Sequence, residues 1–372
     1  MLRRLDVRVP DPVRQTRLTI EGQPRARIDW LDYGRFLSAC AVLTFHYLVF
    51  GPQRSVTAPV SAPAFLSMIA PYGYLGVDFF FIVSGFVITM SLEGRTSTGF
   101  AAARLVRLYP GFIACMTLTA IVLAVAGWRV SFPQWLANTT MLANVLGFAN
   151  MDGVYWSLYF EIFFYAAVWL ILLVGARKHF EKVVLAWLAL QVLSFLTYRV
   201  PFFSGYFSLF AAGCIFSFAR KDGWNAVRLL AILVALALSM AQATSRQDLI
   251  MHEHGPVSAM ATVGFFAVFA LFHHFEPRLP LARWIGALTY PLYLLHASIG
   301  YVLLQFLPMP VVIAIVLGLA AAVAEFVERR PQALWRSLAS RLCETIGSYG
   351  NAAMSGLTNP RLASTENSRP GE

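Results

Sequence analysis

Ten apolar stretches, separated by short polar breaks, fill almost the whole chain between residues 31 and 327. They fall at roughly 31–50, 74–92, 109–127, 154–174, 183–198, 202–219, 226–243, 257–275, 284–307 and 309–327. A helix needs about 20 apolar residues to cross a bilayer core, and most of these stretches supply them. The fifth is short and calls for tilt or thin packing. Pro201 separates the fifth from the sixth, and Pro308 with Pro310 separates the ninth from the tenth. Both pairs read as tight helical hairpins. The expected fold class is therefore all-α: a polytopic transmembrane helix bundle of about ten spans.

Composition agrees. Of 372 residues 58% are hydrophobic and only 13% charged, with a mean hydropathy of +0.63. Soluble domains carry about a quarter charged residues, and a chain this apolar would expose large patches to water. The net charge of +10 first suggests nucleic acid, but the charges lie at segment ends and in the tails. With ten spans and the N-terminus inside, 25 Lys and Arg fall on the inner side and four, Arg54, Arg129, Arg199 and Arg246, on the outer. That asymmetry follows the positive-inside rule and puts both termini in the cytoplasm. No nucleic-acid partner is expected, and membrane lipids are.

Residues 132–149, with Asn150 following, hold three asparagines and two threonines. They read as a re-entrant or interfacial segment rather than a span; a span there would reverse all later sidedness. Residues 1–28 form a basic cytoplasmic tail and 29–331 the membrane domain. Residues 332–347 read as an amphipathic helix on the inner membrane face, and 348–372 as a disordered tail. The N-terminus is too long and Pro-containing for a secretory signal, so the tail is expected to be retained. Cys40, Cys115, Cys214 and Cys343 have no metal-ligand or CxxC spacing, so neither a disulfide framework nor a metal is expected. No internal repeat of the transporter kind is visible.

Charged and titratable residues within spans are costly and usually face the bundle interior or a wet cavity. Arg35 and His46 lie on the first span, eleven residues apart. This puts them on one helix face about 16 Å apart, with Arg35 at the cytoplasmic mouth and His46 deeper. Histidine titrates near neutrality and can take a proton from a hydroxyl. Asp78, in GVDFFFIVSGFVI, stands near the outer end of the second span. There it could orient a histidine or simply satisfy a helix N-terminus. Ser84 and Gly85 allow close helix approach. Arg104 and Arg107, in RLVRLYP, face the same way at a cytoplasmic mouth, where two guanidinium forks suit phosphate. Glu161, in WSLYFEIFFY, is a carboxylate among aromatics, and His296, in LTYPLYLLH, sits near mid-membrane with Tyr290 and Tyr293 along one face. Glu325 and Glu328 close the last span at the inner surface, where Glu325 reads as a surface ion-pair residue.

Taken in order, these motifs resemble the acyltransferase-3 family of integral membrane acyltransferases, which O-acetylate surface glycans. LDYGRFLSACAVLTFHY is similar to its Arg-x10-His signature, met by Arg35 and His46. GVDFFFIVSGF, RLVRLYP, WSLYFEIFFY and LTYPLYLLH resemble four further family motifs. The likeness covers residues 29 to about 331. One departure is Glu328-Arg329-Arg330-Pro331, a residue longer than the family's usual Glu-x-Pro. Some members also carry an extra-cytoplasmic hydrolase-like domain. None is expected here, so acceptor delivery falls to the membrane domain or to polysaccharide-assembly partner proteins.

The resemblance implies acyl transfer, with acetyl expected, from cytoplasmic acetyl-CoA to a hydroxyl of a glycan or lipid-linked glycan at the inner (cytoplasmic) membrane. Arg35, Arg104 and Arg107 would bind the CoA phosphates. His46 would be the base, oriented by Asp78 or Glu161. Ser84, Tyr290 and His296 would contact substrate. The alternatives are a transporter or flippase of a glycan-lipid or acyl group, and an inactive assembly subunit.

Overall fold

A computed structural model of the chain describes residues 28–197, 205–251, 255–275, 277–343 and 345. The two expected tails and the turn at Pro201 lie outside the described residues, save for Ile28. All regular structure among the described residues is helical. The helices are α1 (Asp29–Phe45, continuing through a π turn, His46–Phe50), α2 (Gly76–Ser91, entered without a break from Ala64–Ile69 and a tight turn, Ala70–Leu75), α3 (Ser97–Val125), α4 (Phe132–Asn138), α5 (Trp156–Leu173), α6 (Phe180–Leu196, entered through a tight turn, Ala176–His179) and α7 (Phe207–Asp222). They continue with α8 (Ala226–Met251), α9 (Val257–Phe272), α10 (Ala282–Leu295), α11 (Ser298–Leu304) and α12 (Met309–Ala322, continuing through a π turn, Val323–Arg329). A last helix, α13, covers 332–343.

Among the described residues each of the ten apolar stretches is mainly helical, but they are not equivalent. Among the described residues seven helices are long and apolar enough to cross a membrane, and eight if α10 and α11, bent by 70°, count as one span. The shortfall from ten lies in α7 and α9, of 16 residues each. The segment at 132–149 contributes only the seven-residue α4, about 10 Å long and too short to span. Ser131 and Pro133 start it: the Ser131 hydroxyl accepts from the Gln134 N–H, and proline at a first turn loses no hydrogen bond. Leucines at 193, 196, 229, 230 and 233 stand exposed on the bundle exterior, as lipid-facing side chains do. This is a multi-pass membrane protein.

At the centre lies α7, buried at every position from Phe207 to Ala219. A helix apolar all round needs neighbours all round. Its closest neighbour is α2, and the crossing rests on two glycines. A Cβ at Gly85 would collide with the Phe210 carbonyl, and one at Gly213 with the Ile82 carbonyl. The close approach expected of Ser84-Gly85 is thus made backbone to backbone.

The basic loops gather at one end of the bundle. Lys221 pairs with Glu93, the Arg95 carbonyl accepts from Arg177, and Arg228 clasps Glu181 through two bonds of 2.7 and 2.8 Å. The Leu279 N–H donates to Asp29 at 3.1 Å, and Arg329 stacks on Trp284. The four cysteines are free thiols.

Gly85→Ala should force α2 and α7 apart and cost about 1–3 kcal/mol, as overpacking does. Thermal unfolding in detergent should show a lowered midpoint. Gly264→Ala, on a helix face with no atom within 4 Å, should not lower it and should raise it slightly, as alanine does in a helix interior.

Candidate active site

The site begins with a broken helix. Pro291 lies inside α10, which ends at Leu295, and α11 starts at Ser298 after the bend. His296 stands in the break. A break within a membrane leaves backbone groups that water cannot satisfy. Two side chains satisfy them here. The Tyr47 hydroxyl donates to the His296 carbonyl at 2.8 Å, and Asp152 Oδ2 accepts the Ser298 N–H at 2.8 Å. The other oxygen of Asp152 accepts the Val154 N–H at 3.0 Å, so one carboxylate caps the starts of two helical segments. Burial pushes the Asp152 carboxyl above its ordinary range, and these N–H donors pull it part of the way back. Gly300 makes room for Tyr47, whose ring occupies the place a Cβ would take.

His296 is fully buried and meets His46 on α1's π turn, with Nε2 to Nδ1 at 3.1 Å. The tautomers follow from the carbonyls. His296 Nδ1 lies 2.8 Å from the Tyr293 carbonyl, and His46 Nδ1 lies 2.8 Å from the Val42 carbonyl. Carbonyls only accept, so each neutral ring carries its proton on Nδ1. The single Nδ1–H of His46 is then shared between the Val42 carbonyl and His296 Nε2, and His46 Nε2 keeps its lone pair. The pair leaves one ring nitrogen, His46 Nε2, without a proton and outside the bond between the rings.

Two cavities approach this pair from opposite ends and share no lining residue. The larger has a volume of about 1080 Å³ and opens at the basic end. Arg35, Ser84, Arg104, Arg107, Glu161 and Tyr290 all line it. Arg107 stacks over Tyr290 and faces Glu328 at 3.8 Å, and Arg104 lies against Phe100 and Tyr165. Among the described residues Arg35 makes no hydrogen bond or ion pair, and Arg104 Nε is buried without a partner. The smaller cavity, about 310 Å³, includes Trp128, Arg129, Gln134, Asn150 and Tyr301. Neither is lined by the histidines. Tyr293 lines the larger, with its ring 5.7 Å from that of His296, and Tyr301 lines the smaller, 6.2 Å from His46. Tyr293 is held by the Ser157 hydroxyl at 2.8 Å and the Val154 carbonyl at 3.2 Å.

Asp78 and Glu161, expected beside His46, have other neighbours. Among the described residues Asp78 bonds to no histidine; it pairs with Arg246 at 2.5 Å, far along the chain on α8. Glu161 stands with the arginines, accepting from Ser84 at 3.5 Å and from Tyr165. His296 replaces both as the neighbour of His46. Glu325 pairs with Arg329 and Arg330, while Glu328 turns into the cavity. The span ends in a π turn, Val323–Arg329, which holds more residues per turn than an α-helix. Sequence reasoning missed Asp152, Tyr47 and Arg246. For Asp152 the only signal is its place just before a span, as an N-cap.

Residues 28–325 match the family model described as the acyltransferase domain, Acyl_transf_3. The chain belongs to the acyltransferase-3 family. It is accordingly a membrane acyltransferase. No curated protein and no solved structure gives a significant match.

In this acyltransferase Asp152→Asn should keep the shape of the Asp152 site but lose one of its two acceptors. The expected cost is about 1–3 kcal/mol for the orphaned N–H, seen as a lower unfolding midpoint, together with reduced acyl transfer because His296 loses its fixed position.

Proposed function

We propose that the chain moves an acyl group, acetyl by expectation, from acyl-CoA on the cytoplasmic side to a hydroxyl of a surface or exported glycan. The observation that carries this reading is the histidine pair between two separate cavities, one rich in arginine and open at the basic end. Ten crossings of the inner membrane with both termini in the cytoplasm belong to the same reading, which the gathering of the basic loops at one end supports. Positive-inside orientation makes that end cytoplasmic.

The donor would lie in the larger cavity, with its phosphates on Arg35, Arg104 and Arg107 through charge-assisted bonds. The narrow pantetheine arm would run toward Tyr293, which must shift for the thioester to reach His46. The acceptor would enter from the smaller cavity past Tyr301. His46 Nε2 takes the hydroxyl proton as the oxygen attacks the thioester carbonyl. A C–O bond forms, the C–S bond breaks, and the CoA thiolate leaves and is protonated. His296 accepts the Nδ1–H of His46 and so supports the imidazolium that forms.

Purified full-length protein should transfer radiolabelled acetyl from acetyl-CoA to a glycan acceptor. His46→Ala should lower the rate by about 10²–10⁴-fold, the usual worth of a general base, at unchanged protein level. Retained transfer would remove the histidine from this role. Sidedness is tested separately. Cysteines placed at Arg95 and at Gln305 should react with an impermeant thiol reagent from opposite faces of a sealed vesicle, Arg95→Cys from the cytoplasmic face.

A further inference from the structure

Helix α13 lies beyond residues 28–325, the family-matched region, yet it forms part of the larger cavity. Gln332, Arg336 and Ser340 recur every fourth residue and line its mouth. Ala339 and Cys343, on the adjoining stripe, are buried against Ala101, Leu105 and Val106 of α3. The Trp335 indole N–H donates to the Val327 carbonyl at 2.7 Å and ties the start of α13 to the end of the last span. Leu334, Leu338 and Leu342 point the opposite way and are exposed, as an apolar stripe seated at a membrane interface would be. The helix expected merely to lie on the membrane is thus docked on α3, with its polar stripe turned to the cavity.

Arg336 is the cationic residue on that stripe. It is exposed, and among the described residues it makes no hydrogen bond or ion pair. Arg95 stands at the same mouth. Arg336 is exposed, whereas Arg35, Arg104 and Arg107 are half-buried and Arg104 Nε is fully enclosed. The cavity therefore carries one cation open to solvent and others more enclosed.

We propose that Arg336 binds the 3′-phosphate of the donor nucleotide, making α13 part of the donor site. This rests on acyl-CoA as the donor. With the thioester toward the histidines, the chemistry of the molecule sets the order: pantetheine deepest, then the diphosphate, then the ribose with its 3′-phosphate nearest the mouth. Arg35, Arg104 and Arg107 meet the diphosphate. Arg336 meets the one phosphate left at the nucleotide end.

The test compares binding of CoA and dephospho-CoA, which lacks only the 3′-phosphate, to full-length protein in detergent. Wild type should prefer CoA by about ten- to a hundredfold, the worth of one charged hydrogen-bonded contact. Arg336→Gln should lose that preference while binding dephospho-CoA as wild type does, and Arg336→Lys should keep part of it. A wild type that binds both equally, or an Arg336→Gln protein that still prefers CoA, overturns the assignment and leaves the donor reading intact. If neither compound binds wild type, the donor reading falls and the assignment with it.

Discussion

Everything at the centre of this bundle depends on how the α10–α11 break is satisfied. A straight helix would bury the backbone of residue 296 in its own hydrogen bonds and turn the side chain wherever the helical phase dictated. The break frees a carbonyl and an N–H in a place without water, which is costly unless both are paired. Tyr47 takes the carbonyl and Asp152 the N–H. Tyr47 is the residue after His46 on α1, so the contact that heals the break also brings the second imidazole beside the first. Asp152 belongs to the polar stretch before α5 and ties that stretch to the same point. Three distant parts of the chain converge there because one backbone discontinuity needs them.

Around this centre the arginines are held by different means. Arg107 has a ring beneath it and a carboxylate facing it, Arg104 lies between two rings, and Arg35 faces the cavity with neither. Aromatic faces steady a guanidinium without consuming its donors. Such a wall stays rich in unused N–H groups, which is what an anionic ligand requires.

Much of this is legible in the sequence, for physical reasons that also mark where legibility stops. Ten apolar stretches become helices because lipid leaves a chain few other ways to satisfy its backbone. The basic loops around Arg95, Arg177 and Arg228 lie close together, in contacts such as Arg177 with Arg95 and Arg228 with Glu181. Residues on one helix face, such as Arg104 and Arg107, keep the common direction that spacing gives them. Partners across helices are another matter. His46 and His296 are 250 residues apart, and no periodicity links them. Asp78 sits two helical turns from Gly85 on the same helix, yet its partner is set by how far α8 reaches, which hydropathy does not encode. The fate of Glu328 turns on a π turn, a local widening invisible in the apolar pattern. The docking of α13 depends on Ala339 and Cys343, residues too small to stand out in an amphipathic profile.

The two cavities end on either side of the histidines and share no lining residue. A protein that joined them into one channel would conduct ions and dissipate the gradients its membrane maintains. Here the partition is made of packed rings, Tyr293, His296, His46 and Tyr301, with His296 shut off from solvent. On the proposed reading only a small neutral fragment needs to cross this partition, and the charged carrier stays behind. The same tight packing that fixes the imidazoles would then serve as the membrane's electrical insulation, so substitutions that loosen it should be felt by the cell as leakage as well as lost catalysis.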